Sequence, residues 1–260
     1  MEERIRFANA DGLILAGVYT PPPAPTGRAV VLCHGLSYDK DEGGIFAALA
    51  ARLAAAGLAA FRFDFRGHGE SEGDPVAMTV AGEVRDLEAA IAHLKTRGHG
   101  RFGLVGASFG AAPVALYAAR NTEDVGCLVI WNGLIDYADW RSNRTAGGTQ
   151  RWSPEALARL EREGVLEVFS DPPFLIGAGL VAEVNALEPW KELLPLTLPM
   201  LFLHGDHDRV VRHDLTTRCV PQLKAAELVT ITGAEHGFRS APEHTEKAVA
   251  TATEFLRTTL

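Results

Sequence analysis

The stretch Leu104-Val105-Gly106-Ala107-Ser108-Phe109-Gly110 decides how the rest of the chain is read. A short apolar run, Phe102 to Val105, leads into it, and a helix-like run, Ala111 to Arg120, follows at once. Strand, tight turn and helix around Gly-x-Ser-x-Gly is the setting in which a serine stands exposed on strained backbone. Its neighbours must be small because other chain passes close by, and Gly106, Ala107 and Gly110 meet that demand. The turn holds the Ser108 hydroxyl over the first turn of the helix, where backbone N–H groups point at any negative charge that develops. The same five residues also read as a serine capping a helix after a strand, so the surrounding chain has to decide.

Strands alternate with helices on both sides of that turn. Upstream, Arg4 to Ala8 and Leu13 to Tyr19 flank a hairpin signal, Asn9-Ala10-Asp11-Gly12. The stiff run Pro21 to Pro25 is a connector, since proline cannot pair inside a sheet. Strands are expected at Arg28 to Cys33 and Leu58 to Phe63, and helices at Gly43 to Gly57 and Thr79 to Thr96. In the second helix Val80, Val84, Leu87, Ile91 and Leu94 fall at three- and four-residue steps. Downstream, strands are expected at Val125 to Trp131, Leu198 to Leu203 and Ala226 to Ile231, with a closing helix from Pro242 to Leu260. The alternation implies an α/β protein with a mostly parallel, doubly wound sheet covered on both faces.

Leu134 to Leu196 breaks the alternation. It has no convincing sheet strand, only helical pieces at Pro154 to Glu163 and Leu175 to Leu187. Trp131, Trp140, Trp152 and Trp190 lie in it or at its edges. A structureless loop of this length does not suit a compact domain. Residues 134–196 are therefore expected to form a helical cap inserted into a core of residues 1–133 and 197–260.

Composition narrows the class of function. A net charge of −8, with no Lys/Arg cluster, argues against a nucleic-acid partner. The start, Met1 to Phe7, has no apolar run behind a basic end, and no eighteen-residue apolar run spans a membrane. Cys33, Cys127 and Cys219 are odd in number and far apart, which fits reduced thiols in a cytoplasmic protein. No His or Cys pair has metal-ligand spacing, so neither a metal nor a cofactor is expected.

A serine hydroxyl is a weak nucleophile until a base takes its proton and an acid orients that base. In an open α/β sheet these groups gather beyond the carboxyl ends of the strands. His236, in the loop Gly233-Ala234-Glu235-His236-Gly237-Phe238, is the candidate base. Two carboxylates compete after the Leu198 strand: Asp206, placed to cap its own turn, and Asp208, before the apolar pair Val210-Val211. His93 and His99 belong to the helix before the serine strand or its end, His207 and His213 are loop residues with no evident partner, His244 lies in the closing helix facing solvent, and His204, ending a strand, suits a packed or supporting position. Two donors must face the oxyanion of acyl transfer. The N–H of Phe109 is one, and the loop His34-Gly35-Leu36 places the N–H of Leu36 as the second.

Together these residues resemble the α/β-hydrolase superfamily. The resemblance is carried by His34-Gly35, Asp64-x-Arg66-Gly67-His68-Gly69-x-Ser71, Gly106-x-Ser108-x-Gly110, His204-Gly205-x-x-Asp208 and His236-Gly237, in the family's order. It implies Ser108 as nucleophile, His236 as base and Asp208 as orienting acid, on an eight-stranded sheet with the cap after strand six. Within the superfamily the chain looks most like cap-bearing bacterial carboxylesterases, including feruloyl (cinnamoyl) esterases, and serine-aminopeptidase-type hydrolases. Pro113 comes late for the helix after Ser108. The expected activity is cleavage of small carboxylic esters, with an amidase on the same residues, or a ligand-binding receptor, as alternatives. A homodimer is left open. The expected substrate contacts are His34, Gly35, Trp131, Trp140, Trp152 and Trp190. Tyr137, Phe169 and Phe174 extend the aromatic set, Gly147-Gly148 and Pro172-Pro173 punctuate the cap, and a compact or aromatic acyl group is expected beneath it.

Overall fold

Val30-Val31-Leu32-Cys33 and Leu128-Val129-Ile130 are apolar at every position, which suits strands covered by helices on each side. The computed structural model describes residues 1–142, 152–168 and 173–260 and places these runs at the centre of an eight-stranded sheet. Its strands are β1 (Glu3–Ala8), β2 (Ile14–Thr20), β3 (Arg28–Cys33), β4 (Ala59–Phe63), β5 (Arg101–Ala107) and β6 (Val125–Trp131), then, past a separate pair, β7 (Val165–Val168) with β8 (Phe174–Gly177), the last two, β9 (Met200–Gly205) and β10 (Ala226–Ile231). The order is β1-β2-β4-β3-β5-β6-β9-β10. The β1–β2 and β2–β4 pairings are antiparallel and the others parallel.

Side chains alternate between the two faces of the sheet with a period of two. Val31, Cys33 and Leu104 pack with Leu87 and Ile91 of α2 (in a chain that runs α1, Ile45–Ala55, then α2, Val80–Thr96) and with Val114 of α3 (Ala111–Arg120). Val30, Leu32 and Val105 face the other way. They pack with Phe46 and Leu49 of α1, and with Val249 and Leu256 of the closing helix, Pro242–Thr259. Between α3 and that closing helix lie α4 (Ala138–Arg141), α5 (Pro154–Glu163), α6 (Ala178–Ala186), α7 (Pro189–Glu192) and α8 (His213–Cys219), which makes the closing helix α9.

The segment after β6 corrects the expectation of a purely helical insert. β7 and β8 form a two-stranded antiparallel sheet of their own, and Leu175, expected to begin a helix, lies in β8. The strands have four residues each, too few for a period to show in the sequence. The helix begins only at Ala178, after Gly177. A Cβ on Gly177 would overlap the Val76 carbonyl oxygen, so the strand ends where the insert touches the turn Pro75–Ala77. The segment between β6 and β9 packs on the rest of the chain through a third apolar cluster. Leu134, Tyr137, Trp140, Leu166, Ile176 and Leu180 pack there against Val80, Val84, Phe109, Ala112 and Leu116. Phe169, Gly147, Gly148 and Pro172 lie outside the described residues. No described helix is long and apolar enough to cross a membrane.

The Asp64-to-Ser71 motif builds the loop after β4. Asp64 is fully buried and accepts from the Lys40 N–H at 2.7 Å, from Lys40 Nζ at 2.8 Å and from the Glu70 N–H at 2.9 Å. Arg66 makes a two-pronged pair with buried Asp86 of α2, Nε to Oδ2 at 2.9 Å and Nη2 to Oδ1 at 2.8 Å. Asn9 Nδ2 donates to the same carboxylate at 2.6 Å, tying the first hairpin to the loop. Removing one partner of a buried pair strands the other charge. Asp86→Ala is therefore expected to lower stability by about 3–5 kcal/mol, measured as a fall in the urea midpoint with an unchanged slope.

Candidate active site

β5 ends at Ala107, and a single tight turn, Ser108–Gly110, delivers the chain into α3. Ser108 has φ of +49°, left-handed backbone that an L side chain rarely adopts. The packing explains the glycines around it. A Cβ on Gly110 would overlap the His34 carbonyl oxygen, and one on Gly106 would sit 2.6 Å from the Ala111 Cα. Because the turn at Ser108 precedes the α-helix proper, Pro113 falls in the first turn of α3, where a missing N–H costs no intrahelical bond.

Two loops bring the partners. His236 follows β10, and its loop is pinned by Phe238, which is fully buried against Trp131 with ring centroids 5.5 Å apart. The Ser108 hydroxyl donates to His236 Nε2 at 3.0 Å, and His236 Nδ1 donates to Asp208 Oδ2 at 2.7 Å. Asp208 Oδ1 accepts from the N–H groups of Val210 and Val211 at 2.8 and 2.9 Å, so the carboxylate is held by its own loop. Burial alone would raise the Asp208 pKa, but hydrogen bonds from His204 and His236, and the charge each can carry, hold it well below the usual carboxylate range. His204 sits behind the carboxylate, its Nε2–H shared between Asp208 Oδ2 at 3.3 Å and the Val211 carbonyl at 3.0 Å. Asp206 does not reach His236; it accepts from the Gly233 N–H at 2.6 Å and braces the His236 loop from outside.

The loop after β3 passes directly over the serine. A Cβ on Gly35 would stand 3.1 Å from the Ser108 Cβ, so the absence of a side chain here lets the loop lie tightly over the serine. His34 is 1% exposed and works as a strut: Nδ1 donates to the Gly35 carbonyl at 2.8 Å and Nε2 accepts from the Phe65 N–H at 3.0 Å. Among the described residues no hydrogen bond claims the Leu36 N–H. The Phe109 N–H lies in the first turn after Ser108, where helix N–H groups lack an intrahelical acceptor. Beside Ser108 and His236 is a pocket of about 10 Å³, walled by Glu42, Ile45, Phe46, Ala107, Trp131, Asn132 and Gly237. Glu42 and Asn132 both have positive φ, +47° and +45°, and both are buried. Burial pushes the Glu42 carboxyl up, opposed by the Gly35 N–H, Arg239 and His236.

The alpha/beta hydrolase family model matches residues 30–252. The chain belongs to the alpha/beta hydrolase family. It is 28% identical to a monoacylglycerol lipase of Mycolicibacterium smegmatis over 225 residues, 79% of each chain. Among solved structures it is similar to Est1E of Butyrivibrio proteoclasticus with ferulic acid bound, at a TM-score of 0.83 and 21% identity, covering 97% of this chain and 98% of that one. An esterase of Pyrococcus furiosus superposes with a TM-score of 0.72 and 22% identity, over 99% of this chain and 92% of the other. At these identities the two superpositions speak for the alpha/beta hydrolase fold.

The expected substrate contacts of this alpha/beta hydrolase separate into groups. Trp131 lines the Ser108 pocket but is only 2% exposed, packed between Phe46 and Phe238. Trp140 packs on Phe109 at 6.0 Å and edge-on to Trp152 at 5.4 Å, next to the serine turn. Trp190 is not brought to Ser108; it packs against the core cluster that holds α2 and α3. His34 has both ring nitrogens committed to the fold. Glu42 and Asn132 were not legible as site residues. Asn132 offered only a faint signal, an Asn-Gly pair just past a strand, and Glu42 offered none.

Burial lowers the His34 pKa from the ordinary 6.5 to about 4. The unfolded chain therefore takes up a proton near 6.5 that the folded chain refuses until about pH 4, and stability falls across that window as pH drops. The full contribution is up to about 3 kcal/mol. The wild-type urea midpoint is expected to fall from about pH 6.5 to about 4, and His34→Gln is expected to flatten that part of the curve.

Proposed function

We propose that the chain is a cofactor-free serine carboxylesterase in which Ser108 is the nucleophile, His236 the base and Asp208 the orienting acid. The observation that carries the reading is the unbroken relay Ser108 Oγ to His236 Nε2, 3.0 Å, and His236 Nδ1 to Asp208 Oδ2, 2.7 Å. Esters are favoured as substrates because the curated relative is a monoacylglycerol lipase and two structural relatives are esterases.

Ser108 Oγ attacks the ester carbonyl carbon while His236 Nε2 takes the hydroxyl proton. Asp208 holds the ring in the Nδ1–H tautomer and offsets the imidazolium charge. The carbonyl oxygen becomes an oxyanion between the N–H groups of Phe109 and Leu36. The intermediate collapses, the bond to the alcohol oxygen breaks, and His236 gives its proton to that oxygen. Water then attacks the acyl-serine by the same route, with His236 as base, and the acid leaves.

Residues 134–196 serve, in this reading, as a cap over a core of 1–133 and 197–260. Support comes from the cluster that joins Tyr137, Trp140, Trp152 and Phe174 to Phe109 and Leu36, the two residues assigned to the oxyanion. An apolar, aromatic roof suits a compact or aromatic acyl group. Buried free thiols at Cys33, Cys127 and Cys219 suit a reducing, cytoplasmic setting.

A fluorophosphonate probe is expected to label wild type at Ser108, and Ser108→Ala is expected to lose on the order of a millionfold in turnover. Asp208→Asn is expected to cost on the order of 10⁴ by leaving His236 in the wrong tautomer. Asp206→Asn is expected to cost only about 1 kcal/mol of stability; a larger kinetic loss in Asp206→Asn than in Asp208→Asn would reassign the acid. A panel of aryl esters of graded acyl length, with a feruloyl ester and an aminoacyl anilide, tests the cap. Trp140→Ala or Trp152→Ala should change acyl preference about tenfold, as one lost apolar contact is worth roughly 1–3 kcal/mol. An unchanged preference in both variants would remove the cap from specificity.

A further inference from the structure

The pocket beside Ser108 and His236 has two polar walls that the relay does not use. Asn132 stands just beyond β6 and is 1% exposed. Its Oδ1 accepts from the Gly205 N–H at 3.1 Å, which fixes the amide orientation. Its Nδ2 has no acceptor among the described residues. Glu42 is 4% exposed and lines the same pocket. Its Oε2 accepts from the Gly35 N–H at 2.7 Å, whereas Oε1 has only a long 3.4 Å contact with Arg239 Nη1. A donor and an acceptor are thus left over on two buried side chains around one small space.

Ile45, Phe46 and Ala107 form apolar walls and offer no side-chain partner. The free volume, about 10 Å³, is that of one water molecule. A water so held needs two to four polar partners, and the polar side chains lining the pocket are Asn132, Glu42, Ser108 and His236.

We propose that Asn132 and Glu42 hold the water that releases the acyl group from Ser108. The assignment rests on the esterase reading above. The water accepts from Asn132 Nδ2 and donates one hydrogen to Glu42. Its other hydrogen goes to His236 Nε2 as its oxygen forms the new bond to the acyl carbon. The oxyanion intermediate then collapses, the bond from carbon to Ser108 Oγ breaks, and His236 returns the proton to Oγ. A space of this size fits one water, so the step it serves is hydrolysis rather than transfer of the acyl group to an alcohol.

The test uses Asn132→Gly, which removes the donor while keeping a residue at home at φ of +45°, and Glu42→Gln, which keeps an acceptor for the Gly35 N–H. The substrate is an activated aryl acetate, for which deacylation limits turnover. In both variants kcat and KM are expected to fall together about tenfold, with kcat/KM within about threefold of wild type, because only the step after acylation is touched. With methanol added, the ratio of methyl ester to free acid is expected to rise about tenfold. That ratio is a property of each acyl-enzyme and does not depend on the fraction of protein that folds. A wild-type product ratio in both variants, or a fall in kcat/KM as large as that in kcat, would overturn the assignment. A wild-type protein that the fluorophosphonate does not label would instead remove the esterase reading, and the water assignment with it.

Discussion

Ser108 sits at φ of +49°, and such backbone costs an L residue on the order of 1–3 kcal/mol. It persists only where the surroundings leave no alternative. Gly110 lies against the His34 carbonyl, and Gly106 lies under the start of α3, so neither end of the turn can relax. The Leu134 N–H donates to the Ser108 carbonyl at 2.8 Å, which makes the first residues of the insert part of the clamp. Phe109, next in the chain, is buried in the cluster by which the insert docks. The strain at one serine is thus balanced by the central sheet on one side and the insert on the other.

Most buried polar groups of the loops around that serine are answered within the loops themselves. His34 spans from the Gly35 carbonyl to the Phe65 N–H and so locks the β3 loop to the β4 loop. Asp64 fixes the same two loops through Lys40 and Glu70. Asp208 is gripped by Val210 and Val211 before it meets His236. In an interior of low dielectric each satisfied bond is stronger than in water and each orphan more costly. Asn132 Nδ2, beside Ser108, is an exception, with no acceptor among the described residues.

The eight-stranded, mostly parallel sheet was legible because its strands are short runs buried on both faces, separated by helices with clear three- and four-residue apolar spacing. The serine turn and the His236 loop were legible because each carries a local signature of small residues after a strand. The β7–β8 pair was not, because its pairing crosses an intervening segment and four residues carry no period. Trp190 packs on the core, and an aromatic side chain in such a stretch looks the same in sequence whether it faces a cleft or the core. Glu42 was hidden because its neighbours, Asp41 and Gly43, read as an ordinary polar turn before a helix.

The sequence by itself determined the succession of the eight sheet strands and the helices between them, the position of the serine turn and the short list of residues able to act with it. These follow from local periodicity and from the small residues a strained turn requires. Only the tertiary structure decided which of Asp206 and Asp208 meets His236, 28 residues away from Asp208, and that His236 meets Ser108 across 128 residues of chain. It alone decided that Glu42 and Asn132 share a pocket with them. Contacts at such separations are set by sheet order and by the twist of loops over its carboxyl edge, and no local pattern encodes them.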